Sequence, residues 1–310
     1  MSWHEVEQLT VAGLINGSYY ALFGVSFGLI LGVTGRFHYA WALVFTLAAY
    51  VTSVLESSAG VPVVPAVVCG LLAAVALGVA LERYIYRSLA EASGALSLLT
   101  ILISALGITI AGVNVITLIW SASSRSLTLF AGKTLHVGTA TLTSFDLFSI
   151  VVMWALIATL SVVLARTDLG RSIKAVRGNP DLARINGIEP GRIFLCVFAI
   201  GSLLCGVGAI LSGARFAVLP DMGTRPVVFA FVVAFLGGTR SRPLVVGLAG
   251  LFIGLVESLS GIWVSSQWSS LVVFAVLFIY LALRPVEIRA QVDRLIHASS
   301  TRVVPQRGTE

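Results

Sequence analysis

The residues best placed to do chemistry in this sequence lie in one charged stretch, Arg166 to Arg192 (RTDLGRSIKAVRGNPDLARINGIEPGR), with a long apolar run on each side. Arg166, Arg171, Lys174, Arg177, Arg184 and Arg192 sit there, six of the 20 Lys/Arg. Asp168, Asp181 and Glu189 are interspersed, so it is not a simple basic patch. The pattern predicts two short helices. Asp168 can cap the first, whose apolar positions Leu169, Ile173 and Val176 are spaced at four and three. Asn179 suits an N-cap and Pro180 the first helical position of the second. Leu182 and Ile185 share a face of that helix, and Gly187 suits a left-handed stop. Two readings stand: a docking element for a soluble partner, or a solvated loop held in place by its cations.

Other chemistry is thinly represented. His4, His38, His136 and His297 are scattered without metal-ligand spacing, and no local signature of a Ser/His/Asp or Cys/His nucleophile is present. Gly132-Lys133-Thr134 matches the end of a phosphate-binding loop. The first glycine of that loop would fall at Leu127, and no strand precedes it, so ATP hydrolysis is not expected on this chain. We therefore expect no catalytic residue, no metal and no resident cofactor. Cys69, Cys196 and Cys205 all lie in apolar runs and do not form a disulfide framework. Carboxylates are not clustered inside the apolar runs as a proton relay requires, although backbone carbonyls can bind Na⁺. Asn16, Ser18, Tyr19 and Tyr20 interrupt the first run, and polar groups in a span face other protein or a water-filled path. Asn16-Gly17-Ser18 also fits a glycosylation acceptor, which its place inside a span argues against. Glu257 is the one acid well inside a run. It faces a path or a helix partner, or it lies near the outer end of its span and reaches the interface.

The elements that must hold these residues are membrane spans. The chain has 310 residues, 57% hydrophobic and only 11% charged, with a mean hydropathy of +0.99. A soluble domain carries about a quarter charged residues; this chain lacks the polar groups to cover a water-facing surface. The expected class is all-α, a polytopic helical membrane protein. A span needs about 20 apolar residues, and nine candidate segments fall at 9–33, 38–55, 62–81, 96–119, 145–165, 193–217, 226–238, 243–260 and 267–283. The seventh is short, so eight or nine crossings are expected, with 226–238 a half-helix, a re-entrant segment or a span extended by the preceding loop. If the N-terminus is outside and all nine cross, sixteen Lys/Arg fall inside; only Arg125, Lys133, Arg215 and Arg225 fall outside. That bias places the C-terminus in the cytoplasm, and it reads the net charge of +6 as loop cations rather than a nucleic-acid surface. The acidic start, MSWHEVEQ, lacks the basic region of a cleaved signal, so the first run is expected to remain as a span. The linker 82–95, with Tyr84, Tyr86 and two arginines, reads as an interfacial anchor, and 120–144 as a polar outer loop. Glycines at 13/17, 24/28 and 28/32 are spaced for close helix packing.

Four stretches carry a family resemblance. Asp181-Leu182-Ala183-Arg184-Ile185-Asn186-Gly187 resembles the E-A-A-x-x-x-G loop of ABC-importer permeases: Ala183 and Gly187 match, Asp181 stands for Glu, and Leu182 departs from Ala. Thr167 to Val176 resembles the T-x-x-G-R-A-x-R-A stretch of the branched-chain amino acid permeases. Gly13-Leu14-Ile15-Asn16-Gly17-Ser18-Tyr19-Tyr20-Ala21-Leu22 resembles their opening G-L-x-x-G-x-x-Y-A-L, and Pro220 to Glu257 their later glycine series. The chain departs at His38-Tyr39-Ala40-Trp41-Ala42, where the family has N-F-A-H-G. If that region touches solute, a different solute would follow. Arg240 and Arg242 also replace a usually uncharged turn.

The resemblance implies a single permease domain over 1–310: 9–283 in the membrane, 166–192 a cytoplasmic ATPase-docking loop and 284–310 a basic cytoplasmic tail. It implies a bacterial inner-membrane location and transport of branched-chain amino acids or similar small amphipathic solutes by ATP-driven alternating access. Partners would be a second permease, the same or a related chain, two cytoplasmic ATPases holding ATP and Mg, an extracytoplasmic solute-binding protein and membrane lipid, with no nucleic acid. Docking residues would be Lys174, Arg177, Asp181, Leu182, Ala183, Arg184 and Gly187. The solute path would involve Asn16, Tyr19, Tyr20 and Glu257. A self-sufficient secondary transporter or channel is the rival reading, and a non-transporting membrane scaffold a second.

Overall fold

The computed structural model describes residues 3–93, 97–130, 132–137, 140–239, 241–263 and 268–282. Among them, nine apolar helices correspond to the nine runs. They are α1 (Trp3–Thr34), α2 (Trp41–Ser57), α3 (Val63–Ala80), α5 (Ser97–Trp120), α6 (Ser144–Arg166), α9 (Pro190–Phe216), α10 (Thr224–Gly237), α11 (Pro243–Ser260) and α12 (Ser269–Ala282). Six of the helical stretches are long and apolar enough to cross a membrane, while Trp41–Ser57, Thr224–Gly237 and Ser269–Ala282 are shorter. The molecule is thus an all-α polytopic membrane protein. The tail 284–310 lies outside the described residues.

α1 is the axis of the bundle. It packs most extensively on α11 and also against α10, α9 and α6. Glycine permits the closest of these approaches: a Cβ added at Gly17 would sit 2.9 Å from the Leu251 Cα, and one at Gly254 would run into the Gly17 backbone. In lipid, where hydrophobicity does not drive helices together, such backbone contact supplies the packing. Beside it, Tyr20 stacks on Phe229 of α10 with centroids 4.4 Å apart. At 14 residues, α10 is about 21 Å long at the α-helical rise, short of the roughly 30 Å hydrocarbon core. Two contacts anchor the turn before it: the Gly223 N–H donates to Thr46 Oγ1 at 3.2 Å, and Val218 forms a β-bridge with Arg125.

Two segments differ from expectation. The linker after α3 is no simple surface anchor. The helix runs on through a π-helical turn, Leu81–Tyr86, into α4 (Arg87–Ser93). The turn carries Glu82 and Tyr86 into the core while Tyr84 stays exposed. Glu82 pairs there with the buried Arg36, and the Tyr86 hydroxyl meets His38 Nδ1 at 2.9 Å. His38 and Trp41 are both buried, and Trp41 Nε1 donates to Ser26 Oγ at 2.9 Å. The residues that depart from the family pattern therefore pack inside this chain. The polar stretch 120–144 contains an antiparallel hairpin, β1 (Thr134–Val137) with β2 (Ala140–Thr143), in which Thr134 is opposite Thr143. Gln8 ties it to the start of α1: its Nε2 donates to the Thr141 carbonyl at 3.2 Å, and its Oε1 accepts from the Thr141 N–H at 2.9 Å.

Candidate functional site

The stretch 166–192 folds as two helices, α7 (Asp168–Gly178) and α8 (Pro180–Ile185). Thr167, not Asp168, is the N-cap of α7: its hydroxyl accepts from the Gly170 N–H at 3.2 Å, while Asp168 pairs with Arg171 one turn on. Both residue types cap helices. The chain leaves α6 extended at Thr167, which selects that side chain. Ile173 and Val176 are buried, so the predicted apolar face seats α7 against the bundle. Asn179 Oδ1 accepts from the backbone N–H of both Asp181 and Leu182 at 3.0 Å. The helix then ends in a Schellman motif, with Ile188 N–H donating to the Ala183 carbonyl and Gly187 N–H to that of Arg184, each at 3.0 Å. Gly187 takes φ of +80°, a conformation open to glycine at little cost.

This frame decides which docking candidates face outward. Ala183 is 4% exposed and holds α8 down, whereas Leu182 is 57% and Ile185 81% exposed. Asp181, Arg184 and Gly187 are also exposed. Lys174 is exposed as well and Arg177 half-buried, and both line a groove of about 580 Å³ between α6, α7 and the start of α11.

The four solute-path candidates are drawn into two polar clusters toward the opposite ends of these helices. Tyr20 donates to Glu257 Oε2 at 2.6 Å. Glu257, only 8% exposed, also faces Arg225 Nη2 at 3.5 Å, which reaches Ser270 of α12 at 3.4 Å. Glu257 therefore has helix partners and is not simply reaching for the interface. In the second cluster, Arg215 Nη1 donates to Asn16 Oδ1 at 3.0 Å. Its Nε lies 3.1 Å from Asp146 Oδ1, and its guanidinium carbon 5.6 Å from the centre of the Tyr19 ring. Tyr19 is buried, and Asn16 and Tyr20 are half-buried. A groove of about 390 Å³ opens beside Arg215 and Asp146.

Sequence reasoning missed Arg215, Arg225 and Asp146 as parts of this constellation, having counted the two arginines only as outer cations. A signal was present: two acids and two arginines fall at the ends of runs expected on one side of the bilayer. Asp146 is further engaged in a capping box with Thr143. Among the described residues, no group of three or more His, Cys, Asp or Glu is arranged to hold a metal ion.

A bundle of tightly packed apolar helices, with an exposed helix pair at one end and paired charges near the other, is the architecture of a polytopic membrane protein. Residues 9–281 match the family described as branched-chain amino acid transport system / permease component, and the chain belongs to that family. It is 28% identical to the high-affinity branched-chain amino acid transport system permease protein BraD of Pseudomonas aeruginosa, covering 94% of this chain and 99% of that one. It is 27% identical to LivH of Escherichia coli K12, a permease protein of the same description, over 91% of this chain and 96% of that one. A shorter stretch is 34% identical to the xylose transport system permease protein XylH of E. coli K12, covering 37% and 31% of the two chains. No solved structure matches the chain.

Proposed function

We propose that this chain is the membrane subunit of an ABC importer for branched-chain amino acids or similar small amphipathic solutes. The observation that carries the proposal is the α7–α8 module, whose outer face presents Leu182 and Ile185 to a partner. The two are one helical turn apart on a polar, capped element outside the apolar runs, so a partner that covers them together gains a contiguous apolar contact. The partners are two cytoplasmic ATPases holding ATP and Mg, a second permease of the same or related sequence, and an extracytoplasmic solute-binding protein. The orientation that follows from the Lys/Arg bias puts the N-terminus outside a bacterial inner membrane and 166–192 with the tail in the cytoplasm.

In this reading, closure of the ATPases pulls on α8 through Asp181, Leu182, Arg184 and Gly187, and Ala183 and α7 transmit the pull, with Lys174 and Arg177 flanking the contact. The glycine-packed α1–α11 pair moves as a body. The Tyr20–Glu257–Arg225 cluster, with Asn16 and Tyr19, sits at the outer mouth of the path, where it can part and reform as the mouth opens and closes. An importer needs two such states to alternate.

The test is uptake of labelled leucine into proteoliposomes holding this chain with its operon-encoded ATPases and second permease, and binding protein outside. The expected result is uptake with ATP in the ATPase compartment and none with a solute, Na⁺ or proton gradient alone. Uptake by this chain alone down a gradient would establish the secondary carrier instead, and no flux under any condition the scaffold.

A further inference from the structure

We propose that the groove between α6, α7 and the start of α11 is a binding site for an anionic phospholipid. The groove measures about 580 Å³, within the range of small-molecule sites. Arg166, Lys174, Arg177 and Arg242 line it, and no carboxylate does. Its remaining wall is largely apolar. Val162 and Leu244 lie in that wall and are themselves more than 40% exposed, so the groove opens sideways along two spans as well as toward their ends.

That arrangement matches the two halves of a lipid. Arg166 is the last residue of α6 and Arg242 immediately precedes α11, which puts the cations where these spans leave the apolar layer and headgroups lie. Guanidinium forks suit phosphate oxygens, and basic pockets between spans favour anionic headgroups. The apolar wall below would hold the first acyl methylenes, which a free phosphate ion lacks. A second copy of this chain, with its own net charge of +6, matches a basic groove less well than an anionic headgroup does. The sequence supports the same placement: Arg242 departs from a turn usually uncharged in the resembled family, and the structure brings it to the same groove as Arg166 and Lys174.

Lys174 and Arg177 also flank the proposed ATPase contact, so the test changes only Arg166 and Arg242, which are not among the residues proposed to touch the ATPase. The full-length chain in mild detergent is titrated with dioleoyl phosphatidylglycerol or dioleoyl phosphatidylcholine, and bound lipid is read by native mass spectrometry. We expect phosphatidylglycerol to bind with clear preference. R166Q/R242Q should weaken it at least about tenfold, as expected for two interfacial cations, with an unchanged thermal transition. R166K/R242K should keep most of the preference, and R192Q, at an exposed arginine beside Glu189, should behave as wild type. Equal binding of the two lipids, undiminished binding in R166Q/R242Q, or displacement by millimolar inorganic phosphate would overturn the proposal.

Discussion

Truncating Leu182 and Ile185 together isolates the docking surface from the fold beneath it. Fully burying one such side chain is worth about 1.5–3 kcal/mol. Leu182 and Ile185 keep 57% and 81% of their surface in contact with solvent, so most of that stabilisation is still available to a partner. Their combined loss should weaken ATPase binding by about 2 kcal/mol or more, roughly thirtyfold in dissociation constant. The same exposure limits the effect on the free chain to about 0.5 kcal/mol, because Asn179 and Gly187 still hold the helix and Ala183 still seats it. The assay is titration of purified ATPase onto the L182A/I185A chain in nanodiscs, alongside the thermal transition of the free chain. Affinity within twofold of wild type would refute docking through α8. A large fall in the thermal transition would show that these side chains hold the fold instead.

Several further substitutions test the reasoning at other points. L182D/G187P, which puts a charge on the docking face and forbids the left-handed stop, should abolish ATP-driven uptake while membrane insertion, read by fractionation, continues; normal uptake would contradict the coupling route. G17V should lower stability by about 1–3 kcal/mol through overpacking against Leu251, visible as a lower thermal transition in detergent, and an unchanged transition would mean that α1 and α11 do not approach so closely. R215M, which strips the more enclosed arginine from Asn16, Asp146 and Tyr19, should destabilise by about 2–3 kcal/mol. R225M should cost under about 1 kcal/mol, because Arg225 is largely solvated; equal losses would contradict the burial difference. E82Q leaves Arg36 as an unpaired buried charge and should cost about 3 kcal/mol, while R36M/E82M should recover at least half of that by removing both charges. A double variant less stable than E82Q would refute the explanation.

What the sequence made legible was local. Asn179, Pro180 and Gly187 act within a few residues of themselves, so their types were enough to place the second short helix, its start and its stop. Thr167 and Asp168 are both competent caps, and the choice depended on the angle at which the chain leaves α6, which no pattern records. Run lengths located the apolar helices because a membrane leaves few alternatives to a helix. The same reasoning stopped α3 at residue 81, since a charged glutamate looks like a span end. Glu82 continues inward because Arg36, 46 positions earlier, is there to meet it. Arg215 and Asp146 are likewise 69 positions apart. Cationic bias could assign a side to Arg215 but not a partner, as the pairing arises only when α1, α6 and α9 are packed together.

The most direct test of the account is to extract the chain gently from its native membrane and identify by mass spectrometry what remains bound. The account predicts an ATPase bearing a Walker A motif, at one copy per permease chain. Recovery of this chain alone, under conditions that keep a control importer intact, together with gradient-driven flux in liposomes, would contradict it.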